Sequence, residues 1–287
     1  MVKKTHRTLT RVSLRTVIVA FFALCLSLGW YLERTRQQKD ALDAIFLAGG
    51  SAYYAYQYDA DGQLIPDAHP WAPKWVVHVL GIDAVSSVTR ICFEDGQSDQ
   101  DIFQPLIRLP RIQHLNLQYT AVTDAGIANL RHLPKLKSLD LYHTKVTDAG
   151  LVHLSELSQL EELRIGEMRV TGSGFDQLRK LKSLETLDLS YSLVTNIGLK
   201  HLRHHPKLRV LHLDSSEVDD DGLGYLKELP RLEVLTLGRM NVSDVGLNSL
   251  RECEKLKRLK INQGTRISPA GVEDIKPAIP GCRIQMN

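Results

Sequence analysis

Several groups of residues in this 287-residue chain have the types that support chemistry. Asp140, His143, Asp188 and Ser190 supply the carboxylate, imidazole and hydroxyl of a nucleophilic triad. A working triad needs a cleft that excludes water and a held nucleophile. The surrounding pattern offers neither, because similar polar groups recur at every period of the chain, so no catalytic residue is assigned and the chain is not read as an enzyme. His201, His204 and His205 resemble a metal cluster, but they fall on an outer helix and its exit. Histidines three apart are common on solvated faces, and no metal ligand or cofactor is assigned. Residues 59–62 (DADG) begin like a calcium loop, yet the twelfth position is Pro70 and not a carboxylate, so a plain turn is expected. The four cysteines form no CxxC pair, which argues against a zinc site and a disulfide framework. Cys253 and Cys282 fall on inward slots and read as core filling, with a bond between them left open.

What must position these groups is a repeat. The pattern L-x-x-L-x-L begins at Ile112, Leu136, Leu160, Leu184, Leu208, Leu232 and Leu256, each start 24 residues after the last. Val88, Ile91 and Phe93 fill the same slots one period earlier. Ile279, Cys282 and Ile284 form a terminal strand after a one-residue insertion near Gly264. The alternation in L-x-L marks a short strand, and stacked copies make a parallel sheet lining the inside of a curve. The second half of each unit, T-D-x-G-L-x-x-L-x-x-L, carries leucines at helical spacing. Thr123–Asp124, Thr147–Asp148 and Ser243–Asp244 put an N-cap hydroxyl and a first-turn carboxylate at each helix start. Thr120, Thr144, Ser192 and Ser216 follow the strand, where a hydroxyl can bond the turn backbone of an adjacent repeat.

With these motifs the chain resembles leucine-rich-repeat proteins of the short T-D-x-G-L kind, found in many bacterial membrane-anchored and secreted proteins. The repeat style is also similar to the cysteine-containing repeats of F-box substrate adaptors. The resemblance covers about two thirds of the chain. It implies an α/β leucine-rich-repeat solenoid, a horseshoe with a parallel inner sheet and outer helices, binding a protein through its inner face.

The outward positions of that face follow from the period. The central strand row runs Cys92, Asn116, Asp140, Arg164, Asp188, His212, Thr236 and Lys260. Three residues on stand Asp95, Tyr119, His143, Glu167, Tyr191, Ser215, Arg239 and Gln263, with Tyr142 and Asp214 between the rows. From these, Asn116, Tyr119, Asp140, Tyr142, His143, Arg164, Glu167, Asp188, Tyr191, His212, Asp214 and Arg239 are the candidate contacts for a protein or peptide ligand. Tyrosines and arginines among mixed charges suit a polar protein interface.

Ahead of the repeats, residues 16–32 (TVIVAFFALCLSLGWYL) carry no charge. At a 1.5 Å rise they span roughly 26 Å, the short end of a membrane-crossing helix. Trp30 and Tyr31 sit where ring side chains favour headgroups, and Lys3, Lys4, Arg7, Arg11 and Arg15 keep the preceding end cytoplasmic. Without those five, 31 basic residues face 33 acidic ones, so the body shows no nucleic-acid footprint. The expected organisation is a basic cytoplasmic tail (1–15), a signal-anchor (16–32), a helix–strand juxtamembrane segment and cap (33–87) and the repeat domain (88–287). In the juxtamembrane segment, Ala41, Leu42, Ile45 and Phe46 predict a one-sided helix ending at Gly49–Gly50. Tyr54, Tyr56 and Tyr58 predict one face of a strand. Trp71, Trp75, Val76, Val79 and Leu80 predict a helix covering the open end of the array. The functional expectation is a membrane-tethered protein-interaction module with its repeats on the outer, periplasmic or extracellular side. A secreted effector or ubiquitin-ligase-type adaptor, released by cleavage after Gly29, and an architectural envelope protein are the alternatives.

Overall fold

The computed structural model describes residues 14–59, 63–93 and 96–287. The basic residues before Leu14, most of the turn expected at 59–62, and Asp95 lie outside them; Tyr58 and Leu64 flanking that turn are bridged antiparallel. Ten strands form one sheet in chain order. They are β1 (Gly50–Tyr54), β2 (Val88–Phe93), β3 (His114–Asn116), β4 (Ser138–Asp140), β5 (Glu162–Arg164), β6 (Thr186–Asp188), β7 (Val210–His212), β8 (Val234–Leu237), β9 (Arg258–Ile261) and β10 (Arg283–Met286). From β2 onward every pairing is parallel. The register repeats at 24, with Leu115 opposite Leu139, Leu163 opposite Leu187 and Leu235 opposite Leu259. At the end Leu259 pairs with Ile284, 25 residues on, which locates the inserted residue. The closing strand starts later than Ile279, which is buried in the turn ahead of it.

Each inward leucine stacks on its equivalents in the neighbouring repeats, giving one continuous core. No single repeat can bury its apolar face alone, so stability comes from the stack. The outer segments are tighter than the expected α-helices. Gly150–Glu156 and Phe175–Lys180 are wholly 3₁₀, and Asn196–His201 makes a short α-helix before turning 3₁₀ at Leu202–His204. The cause is legible in the spacing. Leu151, Leu154 and Leu157 stand three apart, and only a three-residue turn keeps all of them on one inward line.

The T-D-x-G motif does a different job from the one its spacing suggests. Each aspartate accepts from the following repeat. Asp99 takes the Thr123 N–H (2.9 Å) and hydroxyl, and Asp124 takes the Thr147 N–H (2.8 Å) and hydroxyl (2.7 Å). Asp220 does the same for Ser243, and Asp244 for Ser268. Asp148 accepts the N–H groups of Thr171, Gly172 and Gly174. Burial pushes the Asp148 carboxyl up, but these donors together outweigh it and hold it below the usual carboxylate range. The motif glycine is what admits the carboxylate: a Cβ on Gly126, Gly150, Gly246 or Gly271 would lie 2.0–2.3 Å from the incoming aspartate oxygen. The N-cap hydroxyl survives at Thr147 and Ser243, which accept the N–H two residues on, but Thr123 makes no such bond. Three of the four hydroxyls after the strand act within their own repeat, while Ser216 Oγ is buried without a partner. Thr120, Thr144 and Ser192 donate to the carbonyls of Leu117, Leu141 and Leu189.

At the N-terminal end the apolar run and the one-sided helix after it are continuous. A single helix, α1 (Leu14–Leu47), runs through both and ends against the array. Ala41, Leu42 and Ile45 are buried there, while Phe46 is exposed. α1 packs on α4 (Asp99–Leu106) and on β1, which adds antiparallel to β2. This arrangement, and not the helix at 74–80, covers the open end. That helix, α2 (Lys74–Leu80), leans on α3 (Ile82–Val85), and Trp71, Trp75 and Val79 around it are exposed. The tyrosine strand is interrupted by a 3₁₀ turn at Ala55–Gln57, so Tyr54 stacks on Tyr56 while Tyr53 meets Tyr58 edge-on.

Candidate functional site

The concave face is built by strand alternation. Leu115 points in, so its neighbours His114 and Asn116 both point out, and the same holds in each repeat. Within the central row three candidate contacts are committed to the backbone. The side chains of Asn116, Asp140 and Asp188 accept the N–H two residues on, from Gln118 (2.9 Å), Tyr142 (3.0 Å) and Ser190 (2.9 Å). These are Asx turns that bend the chain out of the strand. Asp140 is buried, and burial pushes its carboxyl up against the opposing pull of the Tyr142 N–H and Arg164. His212 and Asp214 are half-buried and linked through the Thr236 hydroxyl, with Asn262 also donating to Asp214. Arg164 is exposed and pairs with Glu162 at 2.8 Å and Asp140 at 3.6 Å.

The next row is different. Tyr119, His143, Glu167, Tyr191, Ser215 and Arg239 all have left-handed backbones, with φ between 49° and 60°. Such a conformation costs a non-glycine residue about 1–2 kcal/mol. It is imposed from the next repeat, since each of these N–H groups donates to a carbonyl one repeat on: Tyr119 to Tyr142, His143 to Gly166, Glu167 to Ser190, Tyr191 to Asp214, Ser215 to Gly238 and Arg239 to Gln263. The ladder thus continues past the strands, and the side chains of this row splay outward, with Ser215 alone half-buried.

Where the row passes Tyr142, aromatic groups gather. The Tyr119 and Tyr142 rings meet edge-on with centroids 5.7 Å apart, and Tyr119 lies 5.2 Å from the His143 ring. His143 Nδ1 is 3.4 Å from Glu167 Oε1. Burial, then a hydrogen bond to Glu167, push the Tyr142 hydroxyl pKa upward. Gly166 makes room for this cluster, because a Cβ there would lie 2.5 Å from the Ser190 carbonyl and 3.0 Å from the Tyr142 ring. Beside it opens a cleft of about 630 Å³ whose walls include Tyr119, His143, Lys145, Glu167 and Arg169. A second, smaller groove of about 420 Å³ lies over the first strands, lined by Arg90, Cys92, His114, Asp140, Glu162 and Arg164. Arg90, His114 and Glu162 belong to an outward row that the reading of the sequence passed over. Alternation was the available signal, since residues two apart on a strand share a face. In this groove the Arg90 guanidinium lies 4.2 Å over the Tyr58 ring, and burial, aided by Arg90, lowers the His114 pKa.

The groups that resembled chemistry are otherwise engaged. Asp140 and Asp188 bind turn N–H groups, Ser190 is buried, and His143 pairs with Glu167. His205 is a core residue, 1% exposed, bonded through Nδ1 to the Leu181 carbonyl. Among the described residues no cluster of three His, Cys, Asp or Glu could hold a metal. Cys253 and Cys282 are free thiols, and burial pushes Cys253 up to about 11.

Comparison with known proteins bears on the architecture. A family model described as a leucine-rich repeat matches residues 132–155 and 204–227. Internalin C2 of Listeria monocytogenes superposes with a TM-score of 0.50 at 24% identity, over 64% of this chain and 76% of that one. The fold is that of a leucine-rich-repeat protein. A second Listeria monocytogenes internalin (TM-score 0.43, 17% identity, 65% of each chain) and a leucine-rich-repeat protein of Leptospira interrogans (0.42, 17%, 63% of this chain and 56% of that one) are also similar. The chain spans less than two thirds of these last two. Among curated proteins none matches. Ahead of the repeats, α1 is long and apolar enough to cross a membrane, which fits a signal-anchor or a signal sequence alike.

Proposed function

We propose that the protein is a membrane-tethered interaction module that binds a protein or peptide ligand on the concave face of its leucine-rich repeats. In this reading residues 16–32 cross the membrane, 1–15 stay in the cytoplasm, 33–87 form the juxtamembrane segment and cap, and 88–287 stand on the outer side. Leucine-rich repeats typically serve as protein-binding modules, and nothing in the concave face argues for catalysis. The observation that carries the reading is the left-handed row. Glycine or asparagine would sit there without strain. The row instead displays five exposed side chains, Tyr119, His143, Glu167, Tyr191 and Arg239, of which the tyrosines and the arginine are of the kind that anchor interfaces. The anchor is supported by the continuity of α1, whose far end is bound into the cap.

A photo-crosslinking amino acid placed at Tyr119, Tyr191 or, on the outer face, Lys200 tests this in native membranes. Discrete adducts are expected from the two concave positions and not from Lys200. Replacing Tyr119, His143 and Arg164 together by alanine should abolish those adducts, read from a crosslinker at Tyr191, without shifting the melt. Adducts that persist in the triple variant, or that form equally from Lys200, would remove the concave face from consideration.

A further inference from the structure

The apolar run of α1 ends at Leu32, and the packed part of the helix begins almost at once. Arg34, Thr35 and Gln38 are half-buried against the cap. Gln38 donates to Asp83 (3.0 Å) and to the Ser86 carbonyl, and a small cleft of about 190 Å³ brings Tyr31, Arg34 and Thr35 together with residues 83–87. Leu32 and Arg34 are two residues apart, about 3 Å along a helix. The headgroup layer is roughly 5–7 Å deep on each side of a bilayer. If 16–32 cross the membrane, α3 is held at headgroup depth. It carries a neighbour there: the Trp71 indole N–H donates to the Val85 carbonyl at 2.7 Å.

Around that point lies an uncovered apolar surface. Trp71 is 81% exposed, and Trp75 and Val79, one turn apart on α2, are 71% and 70% exposed. Among the described residues no element of the array covers them. A tryptophan whose N–H is already bonded loses little on leaving water, and such rings concentrate at the membrane boundary. Trp30 and Tyr31 stand at the same boundary on α1.

We infer that Trp71, Trp75 and Val79 insert into the outer headgroup layer of the phospholipid bilayer, as a second membrane contact beside α1. Two contacts fix the tilt of the array, where a single helix leaves it free to rotate about its axis. The inference rests on the anchor reading, and the occupant is the bilayer itself and not a further protein.

The chain has three tryptophans, which makes the test direct. The full chain is reconstituted in phosphatidylethanolamine–phosphatidylglycerol vesicles whose acyl chains carry bromine near the glycerol end, a contact quencher of tryptophan. Trp30→Phe leaves only Trp71 and Trp75 as emitters, and Trp71→Phe with Trp75→Phe leaves only Trp30. Loss of emission in both variants relative to unbrominated vesicles is the expected result. It should be greater than with bromine near the chain methyl. Quenching of Trp30 with none of Trp71 and Trp75 would overturn the surface contact and leave the anchor standing. No quenching of Trp30 would overturn the anchor, and the inference with it. The Trp30→Phe change falls on an exposed position of α1, so a fold defect does not stand in for a negative result.

Discussion

Gly150→Ala separates the inter-repeat ladder from simple helix chemistry because the two predict opposite signs. Gly150 does not need a left-handed backbone. On local grounds alanine should therefore stabilise by about 0.4–1 kcal/mol, through the unfolded chain. The structure predicts a loss. The new Cβ would lie 2.2 Å from Asp124 Oδ1 and 2.9 Å from its Cγ, so the carboxylate must leave. The Thr147 N–H and hydroxyl then lose an acceptor held at 2.8 and 2.7 Å. Bonds to a charged acceptor contribute about 1.5–3 kcal/mol each. Halving that for two part-exposed groups gives about 1.5–3 kcal/mol for the pair. After the local gain, Gly150→Ala should cost about 0.5–2.5 kcal/mol.

Asp124→Ala removes the same two bonds and should cost about 1.5–3 kcal/mol alone. In the double variant the methyl occupies space that the carboxylate has vacated, and bonds already lost cannot be lost again. The double variant should therefore be about as stable as Gly150→Ala, and the two changes should couple by about 2 kcal/mol. Urea unfolding of the detergent-solubilised full chain, followed by circular dichroism, measures all four corners of the cycle. Additive costs, within about 0.5 kcal/mol, would refute the ladder as the reason for the motif glycine. So would a Gly150→Ala variant more stable than the parent.

Two further outcomes follow from buried positions. His205 fills a leucine slot with Nε2 buried and unbonded, and burial, against the pull of the Leu181 carbonyl, lowers its pKa. A histidine depressed below its unfolded value of about 6.5 contributes stability that is fully present above that pH and lost as pH falls through the folded value. Stability should thus decline from pH 7.5 to 5, and His205→Leu should remove most of that decline in paired urea melts, leaving the share of His114; an unchanged decline would refute the assignment. Leu187→Asp places a charge at a 0% exposed position in mid-stack. A loss of about 5 kcal/mol or more approaches the stability of a whole domain, so the cooperative melt should disappear. A native-like melt would contradict the stacked core.

The architecture was readable because a 24-residue period repeats the same physical demand. Inward leucines and alternating polar positions determine the strands, their parallel order and the register, down to the single insertion near Gly264. Partnerships between repeats were harder to read. Asp124 looks like a first-turn carboxylate in sequence, and only the stacking shows that Thr147, 23 residues on, is its partner. The cap was misread for a related reason. Trp75 and Val79 have the spacing of a buried helix face, but Ala41, Leu42 and Ile45 on α1 occupy the end of the core first. Two apolar faces competed for one surface, and the sequence contains no term for that competition.

The candidate face shows the same limit more sharply. Offsets found every outward position of two rows, yet they could not rank them, since polarity is common to all solvent-facing strand residues. The ranking comes from the backbone. Asn116, Asp140 and Asp188 have side chains suited to the turns they make, so their identity is accounted for without a ligand. Tyr119, His143, Glu167, Tyr191 and Arg239 are poorly suited to a left-handed backbone, and none is needed to hold it, because carbonyls of the next repeat do that for any residue bearing an N–H. A strain of about 1–2 kcal/mol per position, which glycine would avoid, recurs along the array. On the proposed binding reading, large exposed side chains at strained positions are the ones a ligand would use, and the five should lose partner contact on substitution well before the Asx-turn residues do.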